Sequence, residues 1–400
     1  MGAGQGAALM VGAVLGPGML VLPHLAAAAA GPASVLAWAG LLVLSVPVAL
    51  TFAALGVRHP DGGGVASFAG LAFGRPAAAV VGWWFYGAVP VGTVAGALVG
   101  GRYVEASLGV DATVAAVLIL AAAFAANAAG LRTSGRLQIA FVALLVALLA
   151  AAVVTAAPHA DPARFTPFAP YGVAGVAQAA GVLMFAFVGW EAASHLSAEF
   201  AARKLTRATV VTLIVIGVLY AGVSLTSVGV LGADMPAVPL TALLETGIGD
   251  AARPVTGVLA VLLTFGAVNT YLAGAARLGA ALARDGAMPG WFAAGGGPGR
   301  VPYRSLGLLA VLTVPVLVWA GDLDLLMRAT SACLAAVTAA GVAAAVRVLP
   351  PGRPKGTAVV ATGMSVVALA CCGVHLAVPA VLAVVALGVV RGLARRPVPR

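Results

Sequence analysis

Apolar residues run through this chain in long blocks, divided by short polar or turn-rich loops. A bilayer span takes roughly 20 apolar residues. The blocks parse into twelve candidate spans, at about 5–30, 34–57, 77–101, 112–130, 137–157, 173–198, 208–232, 254–276, 305–320, 325–346, 357–373 and 376–391. The pattern predicts an all-α integral membrane protein of about 12 transmembrane helices. Val65 to Gly74 is apolar but too short to span, and reads as an interfacial or re-entrant piece. The outer loop 233–252 has room for a short amphipathic helix. The eighth span continues as an inner helix to Arg284, and the last two spans turn at Gly373 to His375.

Two spans contain sequence that resists helix formation. The first reads Gly12-Ala13-Val14-Leu15-Gly16-Pro17-Gly18-Met19-Leu20. Gly16, Pro17 and Gly18 combine backbone freedom with a missing N–H. The second, in the sixth span, reads Phe185-Ala186-Phe187-Val188-Gly189-Trp190-Glu191. Unpaired backbone groups cost several kcal/mol each in hydrocarbon, so such breaks survive only inside protein or along a cavity. Breaks in the first and sixth spans suit an inverted repeat of five plus five helices, the plan of a secondary transporter. The alternative is a pair of kinked structural helices without a ligand. On the transporter reading, residues 1–400 form one domain, with repeat 1 at about 5–157, repeat 2 at about 173–346 and an extra helix pair at about 357–391.

Composition agrees. Hydrophobic residues make up 62% of the chain and charged residues 8%, with mean hydropathy +1.09. A soluble domain would carry about 25% charge. The net charge of +10 is not a nucleic-acid signal. With the N-terminus threaded inside, 18 of the 22 basic residues fall on inner loops, leaving Arg102, Arg164, Arg253 and Arg328 outside. This is the positive-inside bias, and it predicts both termini in the cytoplasm. Residues 5–30 lack a basic leader and read as the first membrane helix, not as a cleaved signal peptide. Cys333, Cys371 and Cys372 lie in apolar segments without metal spacing.

Glu191 is the one acid that this parsing places inside a span, and an intramembrane acid is a functional hypothesis by default. It reads either as a proton-coupling or substrate-amine site, or as an acid capping N–H groups freed by the break. His195 and Glu199 follow at i+4 and i+8 on one broad helix face, so a proton route Glu191–His195–Glu199 stands beside the alternative of interfacial residues facing inner arginines. Trp190, Phe185 and Phe187 would wall an apolar side-chain pocket or pack against neighbouring helices. Trp83, Trp84 and Tyr86 carry the same two readings. Asn269, Thr270 and Tyr271 bring polar groups into the eighth span, either to satisfy freed backbone groups or to touch substrate. The chain contains neither a phosphate-binding G-x-x-x-x-G-K-[ST] nor an HExxH pattern, so an ion or substrate gradient is the expected drive, and no cofactor is expected.

Four stretches in order carry a family likeness: the first break; His59-Pro60-Asp61-Gly62-Gly63-Gly64-Val65-Ala66-Ser67-Phe68 closing at Phe73-Gly74; Phe187-Val188-Gly189-Trp190-Glu191 with Glu199 below; and Arg277 followed by Ala283-Arg284-Asp285-Gly286-Ala287-Met288-Pro289. Together they resemble the amino acid–polyamine–organocation superfamily. Gly63-Gly64-Val65-Ala66, Glu191-Ala192 and His195-Leu196 are most similar to its bacterial branch that exports L-methionine and branched-chain amino acids. The resemblance implies a LeuT-like 5+5 inverted repeat plus two C-terminal helices, with helices 1 and 6 broken. It implies substrate binding at Gly12, Ala13, Val14, Leu15, Gly16 and Gly18 in the first break, whose N–H groups take the carboxylate. Phe185, Phe187, Val188, Gly189 and Trp190 form the second, whose carbonyls take the amine. Pro17 stands where the superfamily often has Ser or Thr, which removes an N–H and a hydroxyl from that cradle. The fifth span lacks the Lys used by some proton-coupled relatives. The loop after Glu199 also lacks the usual Asn-Pro.

The expectation is a multi-pass transporter of the bacterial inner membrane. It would move methionine, leucine, isoleucine or valine, outward by proton antiport. An importer or exchanger is the alternative, and a non-transporting amino acid sensor a further one. The partners expected are the amino acid, protons as the candidate coupling ion and the lipid bilayer, without nucleic acid.

Overall fold

A computed structural model describes residues 3–59, 64–130, 135–187, 189–191, 202–297, 300–319 and 321–394. Every regular element among them is helical. Seven helical stretches among the described residues are long and apolar enough to cross a membrane, including Arg75–Leu108, Lys204–Leu231 and Leu323–Val348. Large apolar side chains such as Val43, Leu118, Val154, Ile214, Val258 and Val311 point outward. An exposed belt of this kind marks a membrane-facing surface.

The first span is two half-helices. α1 (Ala3–Val14) has 12 residues, about 18 Å at 1.5 Å per residue, which cannot cross a core of about 30 Å alone. A 3₁₀ turn at Pro17–Leu20 hands the chain to α2 (Leu22–Ala30). The physical cause of the break is local. Pro17 has no N–H to offer Ala13 four residues back. The N–H of Gly16 turns to the carbonyl of Val14 at 3.0 Å instead of continuing the helix to Gly12.

After a turn at Gly31–Ala33 comes α3 (Ser34–Arg58), and the apolar piece too short to span forms a helix, α4 (Gly64–Phe73). The third span, α5 (Arg75–Leu108), has 34 residues and overshoots its predicted end near 101. Gly100 and Gly101 do not stop it. A side chain at Gly100 would meet Thr264, and one at Gly101 the backbone of Ala112, so these glycines let two neighbouring helices approach. The extension also puts Glu105 into a helix, in its final turn. α5 ends where Gly109 takes φ +69° and its N–H caps the carbonyl of Glu105 at 2.9 Å. Asp111 then starts α6 (Ala112–Ala128) by accepting the N–H groups of Thr113 and Val114 at 2.9 and 3.0 Å.

α7 (Gly135–Ala156) follows, then α8 (Gly172–Leu183), which ends in a 3₁₀ turn at Met184–Ala186. α9 (Ala202–Leu231) leads to the short helix expected in the 233–252 loop, α10 (Pro239–Ile248). α11 (Ala252–Arg284) runs on past the eighth span as predicted. α12 (Tyr303–Val318) and α13 (Leu323–Val348) come next. α14 (Arg353–Ala370) and α15 (Ala377–Ala394) are joined by a 3₁₀ turn at Gly373–Leu376.

Around the breaks, α1 packs on α9 and α7, while α2 packs on α8. The long helices α5 and α11 lie together. The paired tryptophans and Tyr86 serve as ties between elements. Trp83 Nε1 donates to the carbonyl of Ala287 at 2.9 Å, Trp84 Nε1 to that of Pro379 at 2.7 Å, and the Tyr86 hydroxyl to that of Ser305 at 3.1 Å.

Candidate functional site

The two breaks meet in the interior. Gly189 takes φ +110°, a conformation that disfavours a side chain, and a Cβ there would strike the carbonyl of Ala13. Only a glycine lets these backbones approach so closely. One hydroxyl reaches both breaks. Tyr220 of α9 lies 3.2 Å from the carbonyl oxygen of Val14 and 3.1 Å from that of Ala186, placed to donate to either. Its ring packs edge-on against Trp38 and Phe187, at centroid distances of 5.4 and 5.3 Å.

A cavity of about 300 Å³ lies beside this junction, within the range of small-molecule sites. Gly12, Ala13, Leu15 and Gly16 border it from the first break, Gly189 and Glu191 from the second. The rest of the wall is mainly apolar: Phe85, Phe141, Val142, Leu145, Leu263 and Leu334. Thr270, Tyr271 and Gln138 add neutral polar groups. Glu191 is the one charged side chain on the wall among the described residues. It is buried, and its Oε2 accepts the N–H of Gly189 at 3.0 Å. The acid thus both caps the second break and faces the cavity.

The other sequence-derived positions stand behind this wall. Val14 offers its carbonyl to Tyr220. Gly18 lies under the ring of Phe185, whose Cδ1 would be 2.6 Å from a Cβ. Phe187 belongs to the aromatic cluster with Trp38 and Tyr220. Trp190 is fully buried, and among the described residues its indole N–H meets no acceptor. Val188, His195 and Glu199 lie outside the described residues, and so does the expected proton route beyond Glu191. Of the polar trio in the eighth span, Thr270 and Tyr271 reach the cavity, while Asn269 accepts a 2.7 Å bond from Asn127 Nδ2.

The cavity is not symmetric along the molecule. A second, polar cavity of about 360 Å³ shares Gln138, Thr270 and Gly274 with it and runs to Arg277 and Arg300. The other side is filled. Met19, Leu20, Val21 and Leu22 are at most 1% exposed, and the Tyr103 hydroxyl donates to the carbonyl of Leu20 at 2.6 Å. The two cavities thus adjoin toward the arginine-bearing end, while the residues that follow the first break on the other side are buried.

A broken first span, and a helix that ends in a 3₁₀ turn beside it, border a cavity inside a lipid-facing helical shell, the build of a multi-pass membrane carrier. The chain belongs to the amino acid permease family of the amino acid–polyamine–organocation superfamily: the family's sequence profile, described as amino acid permease, matches residues 5–386. It is 32% identical over 356 residues to the uncharacterized amino acid permease YecA of Bacillus subtilis, covering 86% of this chain and 84% of that one. It is 32% identical over 290 residues to the L-methionine/branched-chain amino acid exporter YjeH of Escherichia coli, covering 70% and 68%. It is 26% identical over 317 residues to the branched-chain amino acid permease BcaP of Bacillus subtilis, covering 70% and 66%. The protein is an amino acid transporter, not an enzyme.

Proposed function

We propose that the chain exports neutral hydrophobic amino acids (methionine, leucine, isoleucine and valine) by proton antiport with alternating access. The observation that carries the substrate reading is the cavity between the breaks. Apart from Glu191, which caps the second break, its wall is apolar or neutral and, among the described residues, holds no basic side chain, which suits an uncharged side chain. Backbone groups freed at Gly12 to Gly18 and around Gly189 bind the substrate's amine and carboxylate, and Phe141, Val142, Leu145 and Leu263 receive its side chain. The names of YjeH and BcaP point to the same substrates. The scaffold is a LeuT-like 5+5 inverted repeat with two further helices, set in the bacterial inner membrane with both termini in the cytoplasm.

Glu191 is the proposed proton carrier, with His195 and Glu199 as the route toward the cytoplasm. Its bond to the Gly189 N–H favours a second reading, an exchanger in which Glu191 is a cap alone. The test is efflux of labelled methionine and leucine from preloaded liposomes holding the purified chain, with and without an imposed pH gradient. Gradient-stimulated efflux that disappears in Glu191→Gln supports antiport at that acid. Exchange indifferent to the gradient in both forms supports the exchanger. Absence of any amino acid flux sinks both.

A further inference from the structure

The polar cavity next to the central one has a chemistry of its own. Its walls carry two guanidinium groups, Arg277 and Arg300, and the amides of Asn127, Gln138 and Asn269. Other arginines at this end are engaged. Arg284 donates to the carbonyl of Gly296 at 3.1 Å, and Arg304 donates to that of Trp291 at 2.8 Å and sits over its ring. Arg277 and Arg300 form no ion pair among the described residues, where the pairs are Arg253–Glu245 and Arg328–Asp324. At its floor, buried Asn127 and Asn269 are bonded side chain to side chain.

We propose that this cavity is a second amino acid site, in which Arg277 and Arg300 hold the substrate's carboxylate before or after its passage through the breaks. Guanidinium groups match carboxylates in charge and in the spacing of their donors. The amides bring neutral donors and acceptors for the amine. At about 360 Å³ the cavity is as roomy as the central one. Thr270 borders both cavities, and Arg277 lies two turns further along α11, about 10 Å at 1.5 Å per residue. Two small molecules therefore fit in series, one at each level. The central site reads the amino acid through backbone groups, whereas the outer member of the pair reads its carboxylate through charge. The inference rests on the amino acid substrate proposed above.

Equilibrium binding of labelled leucine to the purified full-length chain tests it. At low ionic strength the expected stoichiometry is about two leucines per chain, falling to about one in R277Q/R300Q and staying near two in R277K/R300K. The retained central leucine shows that the glutamine variant is folded. The arginine-dependent leucine should weaken several-fold between about 20 and 200 mM salt, because exposed charges are screened over a shorter distance there. It should be displaced by 4-methylpentanoate, which keeps the carboxylate and lacks the amine, and not by 3-methylbutylamine, which keeps the amine alone. One leucine per wild-type chain with transport intact would overturn the second site and leave the transporter reading standing. So would a second leucine that persists in R277Q/R300Q, or arginine-dependent binding of inorganic phosphate without leucine. A wild-type chain that neither binds nor moves leucine fails both.

Discussion

Gly189 and Ala13 touch through their backbones, with the α-carbon of one set against the carbonyl of the other. Gly189 brings no side chain to this approach. Gly189→Ala would place a methyl group on the Ala13 carbonyl and hold a non-glycine residue at φ +110°, a conformation that costs of order 1–3 kcal/mol. The expected outcome is at least a tenfold loss of leucine flux in liposomes, with a lowered thermal midpoint in detergent. Flux within twofold of wild type would show that the two breaks need not approach so closely.

Tyr220→Phe keeps the ring contacts with Trp38 and Phe187 and deletes only the hydroxyl shared by Val14 and Ala186. Leaving buried carbonyls without that donor costs about 1–3 kcal/mol. Lower thermal stability and slower transport are expected, with hydrogen exchange of α1 and α8 raised more than that of α14. An unchanged exchange pattern would remove Tyr220 from its bridging role.

Glu191 separates charge from capping. Glu191→Gln keeps an oxygen able to accept the Gly189 N–H, whereas Glu191→Ala leaves that N–H without the acceptor seen at 3.0 Å. The alanine variant should lose about 1–3 kcal/mol of stability, and the glutamine variant much less. Denaturation in a fixed detergent compares them directly. Equal stability of the two variants would deny the carboxylate its structural share.

Asn127 links α6 to α11 through two acceptors, Asn269 O and Asn269 Oδ1, and also donates to Ala123 O within α6. Asn127→Ala takes the bonded amide away from Asn269 inside the protein, and a loss of about 1–3 kcal/mol is expected. Asn127→Asp should be worse, since it puts an acceptor opposite the Asn269 oxygens. A more stable aspartate variant would mean that the Asn269 amide is turned the other way, with its NH₂ toward residue 127.

Much of this architecture is written locally. Gly-Pro-Gly at 16–18 announces a break because proline removes the donor for Ala13, and that is the break observed. The short helix at 239–248 is legible from the room in its loop, and the piece at 64–73 is legible as too short to span, though not as a helix. The end of the third span is not legible: the helix runs on through Gly100-Gly101 to Leu108. The pair is there for Thr264 and Ala112, which no local pattern reveals. Tyr220 and Tyr103 escape for the same reason. Each sits in an ordinary apolar run, and its partner is far along the chain, at Val14 and Leu20. Glu191 is conspicuous as an acid in apolar sequence, but its bond to Gly189 is a property of the folded turn. The apolar wall contributed by Phe141, Val142 and Leu145 is also hard to read, since past Gln138 α7 is apolar on nearly every face and only Gln138, one turn before, marks this one.

Pro17 deprives Ala13 of its helical donor by covalent structure alone, and that has a consequence for how such a carrier changes over generations. If the cradle is made of main-chain atoms, it recognises what all amino acids share, and few substitutions can erase it without unfolding the break. Selectivity then resides in a separate set of positions, Phe141, Val142, Leu145 and Leu263, which belong to unbroken helices. Exchanging these for larger, smaller or more polar residues would retune the range of cargo while the head-group contacts stay fixed. Specificity can drift on this scaffold as an independent variable, and engineering of the pocket can begin with those four residues.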